Sequence, residues 1–409
     1  MRDLTGAIAI IGAGHAGVSA AAFRRQNGWT GRIQLISDEN RLPYNRPPLS
    51  KGWLKNEVDE AGMALRPEQF YAKQDANVRL RTKAERIDPA AGRVRLSDGS
   101  LLDYAHLIIA TGARPRRLAI PGVALEGVLE LRCAADADRL KMVLRPGAVV
   151  AIVGGGYIGL EIAATAMALG AKPIVIERED RVLARVASRV LSGFLEHHHL
   201  ANGVQLELSA TVTAFEGADG RVTAVLLANG RRVACDVVLV GVGAVPNDEI
   251  ARRAGLACDN GIVVDAEGRT SHERIYAIGD CAVRPLRSSG GPGRLESVPS
   301  AVVHARQTAA FLCGRPAPKS EVPWFWSDQF DLRLQLAGVL DGVSETVVRS
   351  NSPTSISIFH LTADRRMRAV EAVNRATDFM AGKVWISRGQ PISLERLQDQ
   401  AVPMNDIAA

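Results

Sequence analysis

The sequence predicts an α/β chain of two Rossmann-like dinucleotide-binding domains followed by a smaller α+β C-terminal domain. Three observations predict it. A chain of 409 residues is longer than one hydrophobic core supports. An apolar run, a Gly-x-Gly-x-x-Gly turn and a helix-like stretch stand close to the N-terminus, and the same succession recurs from residue 149. Beyond residue 321 the pattern changes to alternating stretches such as 355–361, which suit an antiparallel sheet with one or two helices.

In the first unit, residues 7–11 are apolar and suit a strand buried on both faces. Gly12-Ala13-Gly14-His15-Ala16-Gly17 follows, then a helix-like stretch over 18–26 and a second apolar segment, 32–37, ending at Asp38-Glu39. Gly12 permits a tight turn, Gly14 lets a pyrophosphate approach the backbone, and Gly17 allows the helix to pack closely on the strand. The helix N-terminus offers unpaired N–H groups to that pyrophosphate. Asp38 or Glu39 then accepts from a ribose. His15 is a variable position in such turns and is assigned nothing.

The second unit repeats this. Residues 149–153 form the strand and Gly154-Gly155-Gly156-Tyr157-Ile158-Gly159 the turn. Residues 160–169 form the helix, and 173–176 a strand ending at Glu177. Two copies imply two dinucleotides, one held and one exchanged. A carboxylate at Glu177 suits a ribose 2′-hydroxyl and repels a 2′-phosphate, so NADH is expected over NADPH, although Arg178 follows directly.

Composition narrows the classes. Basic residues exceed acidic ones by 6 but are dispersed, with no Lys/Arg stripe interleaved with aromatics, so no nucleic-acid partner is expected. Five scattered cysteines show no Cys-x-x-Cys pair, which argues for a reducing compartment and against a metal site. His197, His198 and His199 are consecutive, point about 100° apart on a helix, and read as a solvated helix end. The nearly uncharged stretch 7–23 could pass for a signal peptide, but its glycine spacing reads as a buried strand and turn. With no other run long enough to span a bilayer, a cytoplasmic protein without membrane association is expected.

Further segments carry a family resemblance. Leu107-Ile108-Ile109-Ala110-Thr111-Gly112 resembles the A-T-G motif leading out of a first FAD half. The stretch from Val240 through Gly243 to Asn247 resembles its counterpart leaving an NADH domain, and Ile275-Tyr276-Ala277-Ile278-Gly279-Asp280 resembles the second FAD motif. Together they resemble the glutathione-reductase-type flavoprotein superfamily. Leu42-Pro43-Tyr44-Asn45-Arg46-Pro47-Pro48-Leu49-Ser50-Lys51, Arg294-Leu295-Glu296-Ser297-Val298 and Trp324-Phe325-Trp326-Ser327-Asp328-Gln329 are similar to segments of its oxygenase-coupled ferredoxin reductases.

The resemblance implies FAD and NADH as cofactors. It implies FAD contacts at Gly12, Gly14, Ala16, Gly17, Asp38, Glu39, Arg46, Lys51, Ala84, Ala110, Thr111, Gly112, Arg132, Gly279, Asp280, Glu296, Ser297, Val298 and Trp326. It implies NADH contacts at Gly154, Gly156, Tyr157, Ile158, Gly159, Glu161, Glu177 and Gly243. Lys51 is expected beside the flavin N5 and Glu161 beside the nicotinamide amide, the two tuning hydride transfer. Read without the resemblance, Lys51 is a surface lysine closing a Pro-bounded loop. Trp324 and Trp326, two apart on a strand and so facing one way, equally read as core packing. The implied partner is an acidic [2Fe–2S] ferredoxin in a transient complex, with Arg306, Arg315, Lys319 and Arg333 expected at its docking face. Expected domains are 1–114 with 241–321 for FAD, 115–240 for NADH, and 322–409. Segment 286–294, rich in Ser, Gly and Pro, reads as a mobile loop, and His304 as structural. Alternatives are an NADH oxidase or monodehydroascorbate-type reductase and a flavin-bound NADH sensor. A disulfide reductase needs two cysteines near one another, and the spacing supplies none.

Overall fold

The computed structural model describes residues 4–286, 291–319 and 321–407. Their contacts form two compact units. One comprises the described residues of 1–45, 60–114 and 245–323, and the other 46–59, 115–244 and the described residues of 324–409.

The first unit is built on a parallel sheet of five strands in the order Ile275–Ala277, His106–Ile109, Ile8–Ile11, Ile33–Ile36, Ala76–Arg79. Ile8–Ile11 is central and pairs in register with both neighbours (Ile8↔Ile33, Ile8↔His106). Its side chains alternate between two cores. Ile8 and Ile10 meet Val18 and Ala21 of the helix His15–Gln26 and Ala305 of the helix Val298–Leu312. Ala9 and Ile11 face Val94 and Leu96 of a small antiparallel sheet. Each fully buried Ile or Leu contributes on the order of 1.5–3 kcal/mol, so a strand apolar on both faces fixes the middle of the unit.

The second unit repeats the design in the order Gln205–Glu207, Lys172–Ile176, Val149–Val153, Val237–Val240, Val128–Leu129, all parallel. Antiparallel strands Val212–Ala218, Arg221–Leu227 and Arg232–Ala234 cover one face. A second sheet is antiparallel throughout, in the order Trp324–Gln329, Leu332–Gly338, Met367–Val373, Ser355–Leu361, Glu345–Ser352, with the helix Ala376–Arg388 packed on it. The α+β expectation for this region matches that arrangement.

Three expectations need amending. Both helices after the glycine turns begin three residues earlier than the periodicity predicts, at His15 and Tyr157, because Gly14 and Gly156 are already their N-caps. The grouping of segments also differs from the expected domains. Residues 46–59 and the C-terminal sheet pack in one unit with 115–244, drawn there by buried polar contacts described below. Lastly, the histidine tract is not a solvated helix end. Of the three histidines on the helix Arg189–Ala201, His197 alone is exposed, whereas His199 is fully buried against Phe330 and Gln329. Helical periodicity sends neighbouring residues to different faces, and the third histidine falls on the core side.

Of segment 286–294, residues 287–290 lie outside the described residues; Pro292–Gly293 pairs antiparallel with Arg284 and Pro285. Among the described residues no helix is long and apolar enough to cross a membrane.

Candidate functional site

The two glycine turns have the same stereochemistry. Gly12 has φ +106°, and a Cβ there would stand 2.2 Å from the Ala110 carbonyl oxygen. Gly154 has φ +111°, with a Cβ 2.4 Å from the Gly241 oxygen. These residues make the turn and let the strand leading out of the fold pass close by, which explains Ala110-Thr111-Gly112 and the stretch before Gly243. At Gly17 and Gly159 a Cβ would reach 2.0 and 2.2 Å from the oxygens of Gly12 and Gly154, so these seat the helix. Gly14 and Gly156 differ: a Cβ at either meets nothing within 4 Å. Neither helix has a side-chain N-cap bond or an acid in its first turn. Open space before uncapped N–H groups is what a pyrophosphate needs, so both turns fit a dinucleotide.

Around the first turn, Ala16 packs against Gly279 (φ +74°), whose would-be Cβ lies 3.0 Å from the Ala16 methyl carbon. The Gly279 N–H donates to Nδ1 of His304 at 3.2 Å. Burial holds His304 well below the ordinary histidine range, so it stays a neutral acceptor that shapes the turn carrying Asp280. Glu39 accepts from the Tyr44 hydroxyl at 2.5 Å, while Asp38 is exposed. Ala84 is buried at a strand start. Arg294 bonds Glu296 and the Asp280 carbonyl, and Ser297 caps the helix beginning at Val298. Cys281 is fully buried, its thiol pushed up by burial, and all five cysteines are unbridged. Arg46, Lys51, Arg132 and Trp326, expected at FAD, belong to the other unit, where Arg46 donates to the Arg132 carbonyl at 2.7 Å.

Around the second turn, both Glu177 oxygens are held by backbone, Oε2 by Gly155 N–H at 2.6 Å and Oε1 by Glu179 N–H at 2.9 Å. The carboxylate is thereby fixed beside the turn. Arg178, which clouded the coenzyme reading, turns outward to Glu179 at 2.8 Å. Gly243 has φ +104°, Tyr157 packs on Phe325 at 4.5 Å between ring centroids, and Ile158 is exposed.

One further cluster forms in this unit. Glu161, on the second turn of its helix, is 6% exposed. Its Oε2 accepts from Lys51 Nζ at 2.6 Å and from Ser50 Oγ at 2.5 Å; its Oε1 accepts from Ser327 Oγ at 2.6 Å. Thr165, one helical turn on, donates to the Ser50 carbonyl at 2.8 Å and anchors the segment. The expected Lys51–Glu161 pair is thus a buried contact in a chain of hydroxyl donors. Ser50, Thr165, Ser327 and Gln329 were missed by sequence reasoning, although all but Thr165 sit inside segments singled out for other residues. Trp324 and Trp326 stack 5.6 Å apart on the strand face opposite Ser327, with Trp324 against Phe379 and under Lys383. Of the basic residues expected at a docking face, Arg306 pairs with Glu321 at 2.8 Å, Arg315 bonds the Asn27 carbonyl, and Arg333 is exposed.

These features define a protein with two dinucleotide cradles of one design, the second carrying on its helix a buried carboxylate paired with a lysine. Residues 6–309 match the family described as pyridine nucleotide-disulphide oxidoreductase, and residues 324–408 match the family described as reductase C-terminal. Two relatives are similar over nearly the whole chain. The probable ferredoxin reductase CtmF of Castellaniella defragrans is 44% identical, covering 98% of each chain. Putidaredoxin reductase CamA of Pseudomonas putida is 38% identical over 98% of this chain and 96% of that one. The crystal structure of the covalent putidaredoxin reductase–putidaredoxin complex superposes with a TM-score of 0.94 at 37% identity, covering 98% of this chain and 97% of that one. The chain belongs to the pyridine nucleotide-disulphide oxidoreductase family and is an oxidoreductase.

Proposed function

We propose that the chain is a cytoplasmic NADH:ferredoxin oxidoreductase that holds FAD on its first glycine turn and binds NADH on its second. FAD, when bound, accepts two electrons as hydride and releases them singly, the task required between NADH and a one-electron iron–sulfur protein. The chain supplies binding and orientation. The helix N-termini at Gly14 and Gly156 receive the pyrophosphates. Glu177 receives the NADH ribose, and Glu39, steadied by Tyr44, receives the FAD ribose. Asp280 would hold the ribityl chain, and Lys51, fixed by Glu161, would tune hydride transfer.

The observation that carries this reading is the full-length likeness to putidaredoxin reductase, C-terminal domain included. The acceptor is accordingly a small acidic [2Fe–2S] ferredoxin serving a haem monooxygenase or Rieske dioxygenase, met through a brief, charge-steered contact. The five cysteines are scattered along the sequence with no Cys-x-x-Cys pair, and Cys281 is buried as a small core residue. The test is NADH oxidation by the purified flavoprotein with oxygen alone, a disulfide, or a [2Fe–2S] ferredoxin with cytochrome c as reporter. Strong stimulation by ferredoxin alone is expected, and fast turnover with oxygen or a disulfide but none through ferredoxin overturns the acceptor.

A further inference from the structure

The C-terminal sheet reaches the Lys51–Glu161 pair through a line of buried polar groups. Ser327, fully buried on the strand Trp324–Gln329, donates to Glu161 Oε1 at 2.6 Å. Gln329, two residues on and so on the same strand face, donates its amide N–H to Ser327 Oγ at 3.1 Å. The Gln329 carbonyl oxygen lies 2.9 Å from Nε2 of His199. An amide oxygen only accepts, so His199 carries its proton on Nε2. Burial lowers His199 to about 4, which keeps it neutral in ordinary buffers. Every donor in the line therefore points toward Glu161: His199 to Gln329, Gln329 to Ser327, Ser327 to the carboxylate. A one-way row of donors ending on one carboxylate oxygen fixes which oxygen remains for Lys51.

We propose that Ser327, oriented by Gln329 and His199, is a positioning residue that holds Glu161 with Oε2 toward Lys51, so that the C-terminal domain prepares the hydride-transfer site. The proposal rests on the reading that the Lys51–Glu161 pair serves hydride transfer. Without Ser327, Oε1 is a buried acceptor lacking its donor, and the carboxylate turns to share its remaining donors between two oxygens. Lys51 then loses its fixed place.

The test uses the full-length holoenzyme with Ser327→Ala, Gln329→Met, Glu161→Gln and Lys51→Met. Ser357→Ala is the control, since Ser357 is an equally buried serine of the same sheet, bonded to Asp378 at 2.7 Å instead of Glu161. Anaerobic stopped-flow reduction gives the flavin reduction rate at saturating NADH and the NADH Kd. Acetylation of Lys51 by acetic anhydride, followed by peptide mass spectrometry, reports the pair independently of turnover. Ser327→Ala is expected to slow reduction about tenfold with Kd unchanged within about twofold, the loss of one charge-assisted donor. Lys51 acetylation should quicken several-fold, with Gln329→Met following in the same direction and Ser357→Ala matching wild type. The proposal is overturned if Ser327→Ala and Gln329→Met match wild type in both readouts while Glu161→Gln is slow, or if Ser357→Ala slows reduction equally. Wild-type reduction rates in both Glu161→Gln and Lys51→Met overturn the hydride-transfer reading instead, and the positioning of Glu161 is then decided by acetylation alone.

Discussion

The two dinucleotide folds share a backbone and differ in what has been placed on it. Aligned on their glycines, Gly12 matches Gly154, Gly14 matches Gly156 and Gly17 matches Gly159, and the same close approaches recur at each pair. Two residues past the third glycine, the first helix carries Ser19 and the second Glu161. After the second strand the first fold has Ser37, whose hydroxyl accepts from Glu39 N–H, and the second has Glu177, gripped by two backbone N–H groups. One copy carries a serine at both places. The other bears a buried carboxylate tied to a lysine. Function here lives in a few side chains set on a repeated frame, and the frame alone says little about which copy does what.

Substitutions at matched positions break that comparison, beginning with the largest effect. Gly12→Ala and Gly154→Ala each push a Cβ into a carbonyl at a positive φ and cost several kcal/mol locally. Gly12→Ala is expected to yield colourless protein, and Gly154→Ala yellow protein that no longer binds NADH. Absorbance at 450 nm and NADH titration separate the two; if both variants lose the flavin, the copies are not independent in their ligands. Next, Glu161→Ser installs the residue of the first copy. It should lower anaerobic flavin reduction by about 100-fold while NADH still binds, in the range seen when a positioned acid–base group is removed. Stopped-flow traces indistinguishable from wild type would place the chemistry elsewhere. Glu177→Ser likewise copies Ser37, and the NADH Kd should rise about 10- to 100-fold for a lost charge-assisted bond. An unchanged Kd by fluorescence titration would leave ribose recognition to another residue.

The smallest effect concerns acid stability. Burial depresses one histidine's proton affinity in each unit, that of His304 in the first and of His199 in the second. His199 is held at about 4 against the ordinary 6.5, so between those values only the unfolded chain takes the proton. Stability is full above pH 6.5 and falls as pH drops toward 4, by about 2 kcal/mol at pH 5 for this one group. His304 acts in the same direction. Urea denaturation at pH 7.5 and pH 5, with His199→Gln beside wild type, checks this; an equal pH dependence in both proteins would remove His199 from the account.

Much of this was legible in the sequence because it is local. A buried strand, a glycine turn and a helix are written within about 25 contiguous residues, and the Lys51 segment announces itself by its prolines. What escaped depends on distant chain segments meeting. Ser327 and Glu161 are 166 positions apart, and nothing in a run of Trp-Phe-Trp-Ser-Asp-Gln says which residue the opposite face will touch. Strand alternation could have paired Ser327 with Gln329, but not named their partner. The histidine tract misled for the converse reason. His199 is polar by type, and only the packing of its helix against Phe330 and Gln329 makes it interior. Grouping of segments was equally hidden, since the contacts that draw 46–59 and 324–407 toward 115–244 are side-chain bonds at Glu161, His199 and Ser188 rather than sequence neighbours.

The strand Trp324–Gln329 has one more implication, for exchange of parts between related proteins. Its Trp324 lies against the helix of its own domain, while Ser327 and Gln329 face helices of the neighbouring fold. A chimera that imports a foreign C-terminal domain to change whom the protein meets imports, in the same six residues, the neighbours of Glu161. By the proposed role of Ser327, such grafts are expected to succeed when the donor strand keeps hydroxyl and amide at those two places, and a transplant that alters them is expected to retune the interior along with the exterior.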